Sequence, residues 1–128
     1  MKYLCLVYVE EQKLGALPRS EASTFLDECS ACAEELRESG HIVMGAALQP
    51  VAAAMTVRTQ KGKASITDGP FAETKEQLGG FCLIEARDLN EAIQVASKMP
   101  PARLGCIEVR PLKDFVQAVA SDAKNHYH

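Results

Sequence analysis

The sequence predicts a single α+β domain, and three observations lead to this fold class. Short apolar segments rich in aliphatic and β-branched residues, typical of strands, recur along the chain. Two longer segments carry apolar side chains at three- and four-residue spacing, which is typical of amphipathic helices. The chain has 128 residues, 47% of them hydrophobic and 24% charged, and this length and composition suit one hydrophobic core.

The first part of the chain is predicted to form a strand, a helix and a second strand. Residues 3–9 are apolar at both odd and even positions, which indicates a strand buried on both faces. After a loop over residues 12–19, Ser20 is placed to N-cap a helix that Gly40 ends. Residues 41–48 form the next predicted strand.

A β-hairpin and a further strand are predicted in the middle of the chain. Residues 55–59 and 63–67 have strand composition, and the polar, glycine-containing residues 60–62 between them favour a tight turn. Residues 81–86, which follow a Gly-Gly pair, form another strand that is apolar on both sides. The hairpin is therefore an insertion between two strands of the main sheet.

The last part of the chain is predicted to add a helix and a strand. Asp88 or Asn90 caps the helix, and the Pro-Pro pair at residues 100–101 terminates it. Residues 105–110 form the final strand, and a short helix is predicted around residues 115–120. The order is that of a ferredoxin-like βαββαβ fold with an inserted β-hairpin.

The pattern of the central strands predicts a homodimer. A βαββαβ order places both helices on one face of the sheet. Residues 3–9 and 81–84 are nevertheless apolar on both sides, so the second face also needs cover. A two-fold partner whose sheet lies against this face would cover both subunits at once.

Charge and hydropathy predict a cytoplasmic protein that binds neither nucleic acid nor membrane. The chain carries 14 Lys and Arg against 17 Asp and Glu, a net charge of −3, and its basic residues do not cluster as a polyanion surface requires. The N-terminal residues enter a strand-like segment without the pattern of a signal peptide, and no apolar stretch has the length of a transmembrane helix.

The cysteines are predicted to be small buried hydrophobes in a reducing compartment. They are odd in number and lie within apolar patterns, at positions 5, 29, 32, 82 and 106. Cys29 and Cys32 form a C-x-x-C motif, but in mid-helix rather than at a helix N-terminus, and a second pair for zinc is missing. No metal or other cofactor is expected.

Residues 68–81 are the segment most informative about function, because they combine the residues of a rigid turn with ionisable side chains between two predicted strands. Pro70 fixes its own φ angle, and Gly69 supplies the freedom that the bend needs. A carboxylate held on such a backbone suits a general base, so Asp68 is a candidate catalytic residue. The alternative is that Asp68 accepts hydrogen bonds from turn amides as a structural cap.

Other candidates are placed around this segment. Lys75 is a candidate for polarising a carbonyl group, and Glu73 for binding a polar ligand, although both also suit a solvated loop or a dimer contact. Tyr8, Arg58 and Arg110 lie near predicted strand ends where a cleft would open. Tyr8 is assigned a hydrogen-bonding catalytic role, and the two arginines are assigned to ligand binding, with pairing to a neighbouring carboxylate as the alternative for Arg110.

His41 is the histidine of the predicted folded region, since the other two lie in the C-terminal tail. Its ordinary pKa would let it exchange protons near neutral pH, so it is included among the candidate ligand-binding residues. Its position directly after Gly40 also suits an interaction with the C-terminus of the preceding helix.

The chain resembles the DGPF-domain branch of the YCII-related proteins over residues 1–113. The resemblance rests on residues 68–81, the Leu-Gln-Pro step at 48–50, the opening Met-Lys-Tyr at 1–3 and the closing Glu-Val-Arg-Pro at 108–111. It implies the dimeric α/β-barrel form of the ferredoxin-like fold. The wider superfamily includes muconolactone isomerases and haem-binding chlorite dismutase-like proteins.

The resemblance does not transfer a mechanism. Some YCII-like relatives carry a histidine near the start of the first helix, paired with an aspartate, but residues 12–38 of this chain contain no histidine. The usual proximal haem ligand is missing for the same reason. Residues 114–128 are expected to be a helical extension and tail of the same domain.

Two function classes remain open. One is a cofactor-independent acid/base enzyme that acts on a small anionic metabolite, with Asp68 as the base. The other is a non-catalytic small-molecule-binding or accessory protein, which the absence of a nucleophile-base pair or phosphate loop favours. Relatives are often encoded beside alternative sigma factors, so the resemblance also implies a regulatory role linked to transcription initiation.

Overall fold

The structure is a computed structural model that describes residues 1–113, and the helix predicted around residues 115–120 lies outside the described residues. The described strands and helices are β1 Lys2–Val9, α1 Glu11–Gly15, α2 Arg19–Glu38, β2 Ile42–Ala47, β3 Met55–Gln60, β4 Lys63–Asp68, β5 Gln77–Glu85, α3 Leu89–Ser97 and β6 Gly105–Pro111. Two 3₁₀ turns, Val51–Ala53 and Pro100–Arg103, precede β3 and β6.

The strands form two sheets. The main sheet is antiparallel, with the strand order β2-β5-β1-β6, and the hairpin β3–β4 forms a two-stranded sheet of its own. This order is that of a ferredoxin-like fold, and the hairpin is inserted between β2 and β5. The α+β class and the βαββαβ order with its inserted hairpin are therefore confirmed.

The core lies between the main sheet and the helices α2 and α3. Tyr3 and Cys5 of β1 and Ile84 of β5 project into it from the sheet. The other side of the core is formed by residues of α2 and α3 and by Met99, which follows α3: Leu36, Ala92, Val95, Ala96 and Met99. Because side chains alternate along a strand, this face takes the odd-numbered residues of β1.

The opposite face of the main sheet, which we call the open face, is also apolar. Leu4 pairs with Leu83, and Leu6 pairs with Phe81, so that their side chains form a continuous patch across the two central strands. All four side chains are only partly buried in the single chain. The prediction of two apolar faces is confirmed.

The end of α2 follows the prediction, but its beginning does not. Gly40 has a φ of 80°, its N–H donates to the carbonyl of Arg37 at 3.1 Å, and the N–H of His41 donates to the carbonyl of Leu36 at 2.9 Å. These are the two hydrogen bonds of a Schellman motif. The predicted cap at Ser20 is wrong, because the helix begins at Arg19 with Pro18 as its N-cap residue.

Two other boundaries differ from the prediction. The predicted loop over residues 12–19 contains the one-turn helix α1, which Glu10 precedes. Strand β5 begins at Gln77 rather than after the Gly-Gly pair, since Gly80 is paired with Val7 of β1 on one side and with Ala47 of β2 on the other. Ladder hydrogen bonds from two neighbours outweigh the low strand propensity of glycine.

Candidate ligand-binding cleft

A cleft of about 680 Å³ lies between the hairpin and the end of the open face where Tyr8 is placed. The described residues that line it are Tyr8, nine residues of the segment 48–57 and six residues of the segment 70–78. They belong to β1, to β3 and the chain leading into it, and to the connection between β4 and β5 together with the start of β5. The cleft therefore borders the segment over residues 68–81 that the sequence singles out.

The register of β1 brings Tyr8 to this cleft. A β-bulge between Val7 and Tyr8 shifts the pairing with β5, so that Tyr8 lies opposite Leu78. By alternation along β1, Tyr8 shares the open face with Leu4 and Leu6, and it lines the cleft together with Leu78. The structure thus places Tyr8 in the lining of a cleft, and its catalytic role stays a prediction.

The corner over residues 68–71 is fixed by hydrogen bonds to the hairpin. Gly69 has a φ of 92°, a conformation that L side chains rarely adopt. Its N–H donates to the carbonyl of Ala54 at 2.7 Å, and its carbonyl accepts from the hydroxyl of Thr56 at 2.8 Å. Pro70 and Phe71 follow directly and line the cleft.

A second contact fixes the opposite wall. The backbone N–H of Val51, at the start of the 3₁₀ turn, donates to the Glu11 carboxylate at 3.1 Å. Glu11 lies in α1, the helix that the sequence analysis missed, and no side-chain pattern in the sequence links it to Val51. The contact joins two segments that are distant along the chain, so it depends on the tertiary structure.

The hairpin has one apolar and one polar face. Val57 lies opposite Ile66, and Met55 lies opposite Asp68, all on one face, while Arg58 belongs to the other. Val57 and Ile66 are 63% and 65% exposed, so this apolar face is in contact with solvent in the single chain. Met55 and Val57 line the cleft, whereas Ile66 does not.

The other two candidate catalytic residues lie outside the lining of the cleft. Asp68 is exposed at the end of β4, on the hairpin face that carries Met55, and it is therefore at the rim. Lys75 is also exposed, and its ammonium group is 3.9 Å from the Glu10 carboxylate. The structure does not bring Asp68, Lys75 and Tyr8 together around one point in the described residues.

The candidate ligand-binding residues are also placed outside the lining. Arg58 is exposed on the polar face of the hairpin, and Glu73 is exposed in the connection between β4 and β5. Arg110 pairs with Glu108, with 2.8 Å between Nε and the carboxylate, as the structural alternative had it. None of these three residues is among the described residues that line the cleft.

His41 lies at the junction of α2 and β2. Its Nδ1 is 2.7 Å from the Ser39 hydroxyl, and its Nε2 is 3.5 Å from the carboxylate of Glu91 at the start of α3. The ring therefore bridges the C-terminus of one helix and the N-terminus of the next. This geometry agrees with the structural role considered for His41, at the helix end.

The wall of the cleft is apolar and uncharged. Aliphatic, proline and aromatic side chains form most of it, and its polar groups are phenolic, carboxamide and hydroxyl groups. Tyr8 is the single ionisable residue among the described residues of the lining. Gln49 and Gln77, two of the polar residues, were not singled out by the sequence analysis because a lone glutamine carries no recognisable motif.

The cysteines line a different cavity. This cavity, of about 350 Å³, lies between α2 and the edge of the sheet and includes Cys29, Cys32 and Cys82. Burial raises the pKa of each of these thiols, so they are protonated and poorly nucleophilic near neutral pH. Burial also raises the pKa of Cys5, to about 11, and the prediction of a buried residue is confirmed there, whereas Cys106 is exposed.

Within residues 1–113, no group of three or more His, Cys, Asp or Glu side chains is arranged to hold a metal ion. In the same part of the chain, no helix combines the length and the apolar character needed to cross a bilayer.

The fold and the cleft define a small ferredoxin-like protein with an apolar pocket at one end of its open face. The chain belongs to the YCII-related family, since the sequence profile of the YCII-related domain matches residues 1–116. The predicted family membership is therefore confirmed.

Two similar proteins illustrate the range of this similarity. An uncharacterized protein of Rhizobium meliloti (strain 1021) is 40% identical over 114 residues, which cover 88% of this chain and 92% of the relative. A solved structure of 5-chloro-2-hydroxyhydroquinone dehydrochlorinase from Burkholderia phenoliruptrix AC1100, in complex with 2,5-dihydroxybenzoquinone, has 17% identity and a TM-score of 0.47. That alignment covers 88% of this chain and 94% of the other. Similarity at this level assigns no chemistry to the present chain.

Proposed function

We propose that the protein binds a small organic molecule in the cleft beside Tyr8. The observation that carries the proposal is the cleft itself, whose volume of about 680 Å³ falls within the range that small-molecule sites occupy. Ligand sites are typically apolar pockets with a few polar groups, and the wall has this composition.

The walls are held in place before a ligand arrives. Gly69 is hydrogen-bonded to Ala54 and Thr56, and Val51 is hydrogen-bonded to Glu11. A site whose walls are already ordered loses less conformational entropy on binding. This rigidity supports a binding role for the segment 68–81 that its turn chemistry predicts.

The proposal includes a homodimer in the cytoplasm. The open face, with Leu4, Leu6, Phe81 and Leu83, and the exposed apolar face of the hairpin together form a surface that a second copy would bury. The cytoplasmic location is supported by the five free cysteines, since thiols persist in a reducing compartment.

The enzyme hypothesis has one supporting observation. Asp68 lies opposite Met55, which lines the cleft, so that a carboxylate is available at the rim to accept a proton from a bound molecule. A protein that binds without turnover is supported more directly, since the described wall supplies contact surface and hydrogen-bonding groups. Such binding also suits an accessory role linked to transcription initiation.

A thermal-shift screen of uncharged and charged metabolites tests the proposal. A compound that binds the native state raises the melting temperature, and the increase grows with the ratio of its concentration to its dissociation constant. Ala72, which lines the cleft, is replaced by Trp to fill it, and Ala31, exposed on α2, is replaced by Trp as the matched control. We expect compounds that stabilise the wild-type protein to lose their effect in Ala72→Trp and to keep it in Ala31→Trp.

Two outcomes would contradict the proposal. One is a screen without any stabilising compound, and the other is a set of compounds whose effect survives Ala72→Trp. The enzyme hypothesis is tested separately with each compound found, by following its conversion in the wild-type protein and in Asp68→Asn. Conversion that is unchanged in Asp68→Asn would exclude Asp68 as the base.

A further inference from the structure

We infer that the ligand of the cleft is an uncharged, flat molecule that carries one or two neutral hydrogen-bonding groups. The inference rests on the proposed binding function and specifies the chemical class of its ligand. It departs from the anionic metabolite that the sequence analysis predicts.

The apolar part of the wall indicates the shape and polarity of the body of the ligand. Pro50 and Pro70 contribute apolar rings from two segments of the lining, and Tyr8 and Phe71 add two planar aromatic rings. Phe71 is 80% exposed in the single chain, so its ring is available to cover a bound molecule. Aromatic and proline faces pack well against a planar apolar body.

The polar part of the wall determines which functional groups the ligand carries. Five polar side chains line the cleft, and two of them are already engaged: the Thr56 hydroxyl donates to the Gly69 carbonyl at 2.8 Å, and the Thr74 hydroxyl donates to the Glu76 carbonyl at 2.6 Å. The phenol of Tyr8 and the carboxamides of Gln49 and Gln77 remain. Each of these groups both donates and accepts, which suits a hydroxyl, carbonyl or amide of the ligand.

The cations around the cleft are paired with carboxylates or lie on the polar face of the hairpin, and Asp68 is an exposed carboxylate at the rim, outside the lining. The Arg110 guanidinium pairs with Glu108, and the Lys75 ammonium lies near Glu10. Arg58 belongs to the polar face of the hairpin, opposite to the face of Val57. A carboxylate placed among the described lining residues would lose hydration without gaining a counter-ion. An ammonium group there would lose hydration as well, since Asp68 lies only at the exposed rim.

Three probes of similar shape and different charge test this inference: benzamide, benzoate and benzylammonium. Dissociation constants are measured by titration of the full-length protein, followed by the amide chemical shifts of the segments 48–57 and 70–78. We expect benzamide to bind at least about tenfold more tightly than either ion, because only the ions carry an unpaired charge into the cleft. Tyr8→Phe, which removes a hydroxyl and keeps the ring, should weaken the binding of benzamide a few-fold.

A charge introduced into the wall should reverse the preference. Val57→Arg places a guanidinium in the lining. We expect the affinity for benzoate to rise at least about tenfold relative to the affinity for benzamide. Val43→Arg is the matched control, since Val43 is also an exposed strand residue but lies outside the lining. It should leave the order of the three probes unchanged.

The outcomes separate this inference from the proposed function. Equal binding of benzamide and benzoate in the wild-type protein, or a preference for either ion, would overturn the uncharged-ligand inference and leave the binding function in place. If none of the three probes changes the amide chemical shifts of the cleft segments, the binding function is overturned, and the inference with it. An unchanged preference in Val57→Arg would show that the probes bind outside the described wall, which contradicts both.

Discussion

At the scale of single residues, Gly69 determines how the corner over residues 68–71 turns. The sequence predicts a bend there from the Gly-Pro pair, and the φ of 92° confirms the need for glycine. The hydrogen bonds that Gly69 donates to Ala54 and accepts from Thr56 could not be predicted, since they depend on how the hairpin folds back on the corner. The sequence therefore singled out a segment that borders the cleft, while most of the residues that line the cleft were not among its candidates.

The residue-scale prediction concerns the stability of this corner. Gly69→Ala should lower the free energy of unfolding by about 1 kcal/mol, because alanine is strained at this φ. A β-carbon at Gly69 would meet nothing within 4 Å, so the cost arises from the backbone alone. Chemical denaturation measures the difference.

Gly15→Ala serves as the matched control. Gly15 also has open space around its position, but its φ is not in the left-handed region. We expect the Gly15→Ala variant to have an unchanged or slightly increased free energy of unfolding, since alanine reduces the entropy of the unfolded chain. Equal effects of the two substitutions would contradict a conformational role for Gly69.

At the scale of elements, periodicity predicted the strands and helices better than it predicted their ends. The strand pairing of Gly80 on both sides and the start of α2 after Pro18 were not visible in the sequence, because both depend on neighbours in space. For the N-cap residue of α3, the sequence left two candidates, Asp88 and Asn90. The structure selects Asp88, whose carboxylate accepts from the N–H of Glu91 at 2.9 Å.

The two capping candidates provide a direct comparison. Asp88→Ala should destabilise the protein by about 1 kcal/mol, because it removes the partner of a helix N–H group. Asn90→Ala, in the exposed first turn of α3, should change the free energy of unfolding by less than about 0.5 kcal/mol. Urea denaturation of the two variants measures both values, and a larger loss in Asn90→Ala would contradict the assigned cap.

The contact between His41, after the end of α2, and Glu91 of α3 should make stability depend on pH. The pKa of Glu91 is lowered by the hydrogen bond from the Arg87 N–H and by the positive charges of Arg87 and His41. A carboxylate whose pKa is lower in the folded state binds fewer protons than in the unfolded state. Its stabilising contribution is therefore present above its ordinary pKa of 4.5 and is lost as the pH falls through the folded value.

Denaturation at a series of pH values tests this linkage. Between about pH 6 and about pH 3, the unfolding midpoint of the wild-type protein should fall further than that of Glu91→Gln, which cannot ionise at this position. Glu38→Gln, exposed at the end of α2, is the control and should follow the wild-type curve. Parallel curves for the wild-type protein and Glu91→Gln would contradict the linkage.

At the scale of the whole molecule, β1 and β5 carry apolar residues on both faces, and a single chain covers only one of these faces. The sequence predicted this correctly, because alternation along a strand is visible without any structure. It could not predict that the apolar face of the hairpin, with Val57 and Ile66, would also be exposed. That surface depends on the separation of the hairpin from the main sheet.

The proposed dimer is tested by sedimentation equilibrium. The wild-type protein should sediment with twice the 13.9 kDa mass of the chain, whereas Leu6→Asp, at the centre of the open face, should sediment as a monomer. Leu89→Asp, exposed on α3, is the control and should remain dimeric. A monomeric wild-type protein would contradict the proposal that a second copy covers the open face.

The central claim is that the cleft beside Tyr8 is the binding site, and mapping of a bound probe on the protein tests it most directly. With benzamide, we predict that the largest amide chemical-shift changes fall on Tyr8 and on the segments 48–57 and 70–78. Changes concentrated instead at the cavity that contains Cys29, Cys32 and Cys82 would contradict this account.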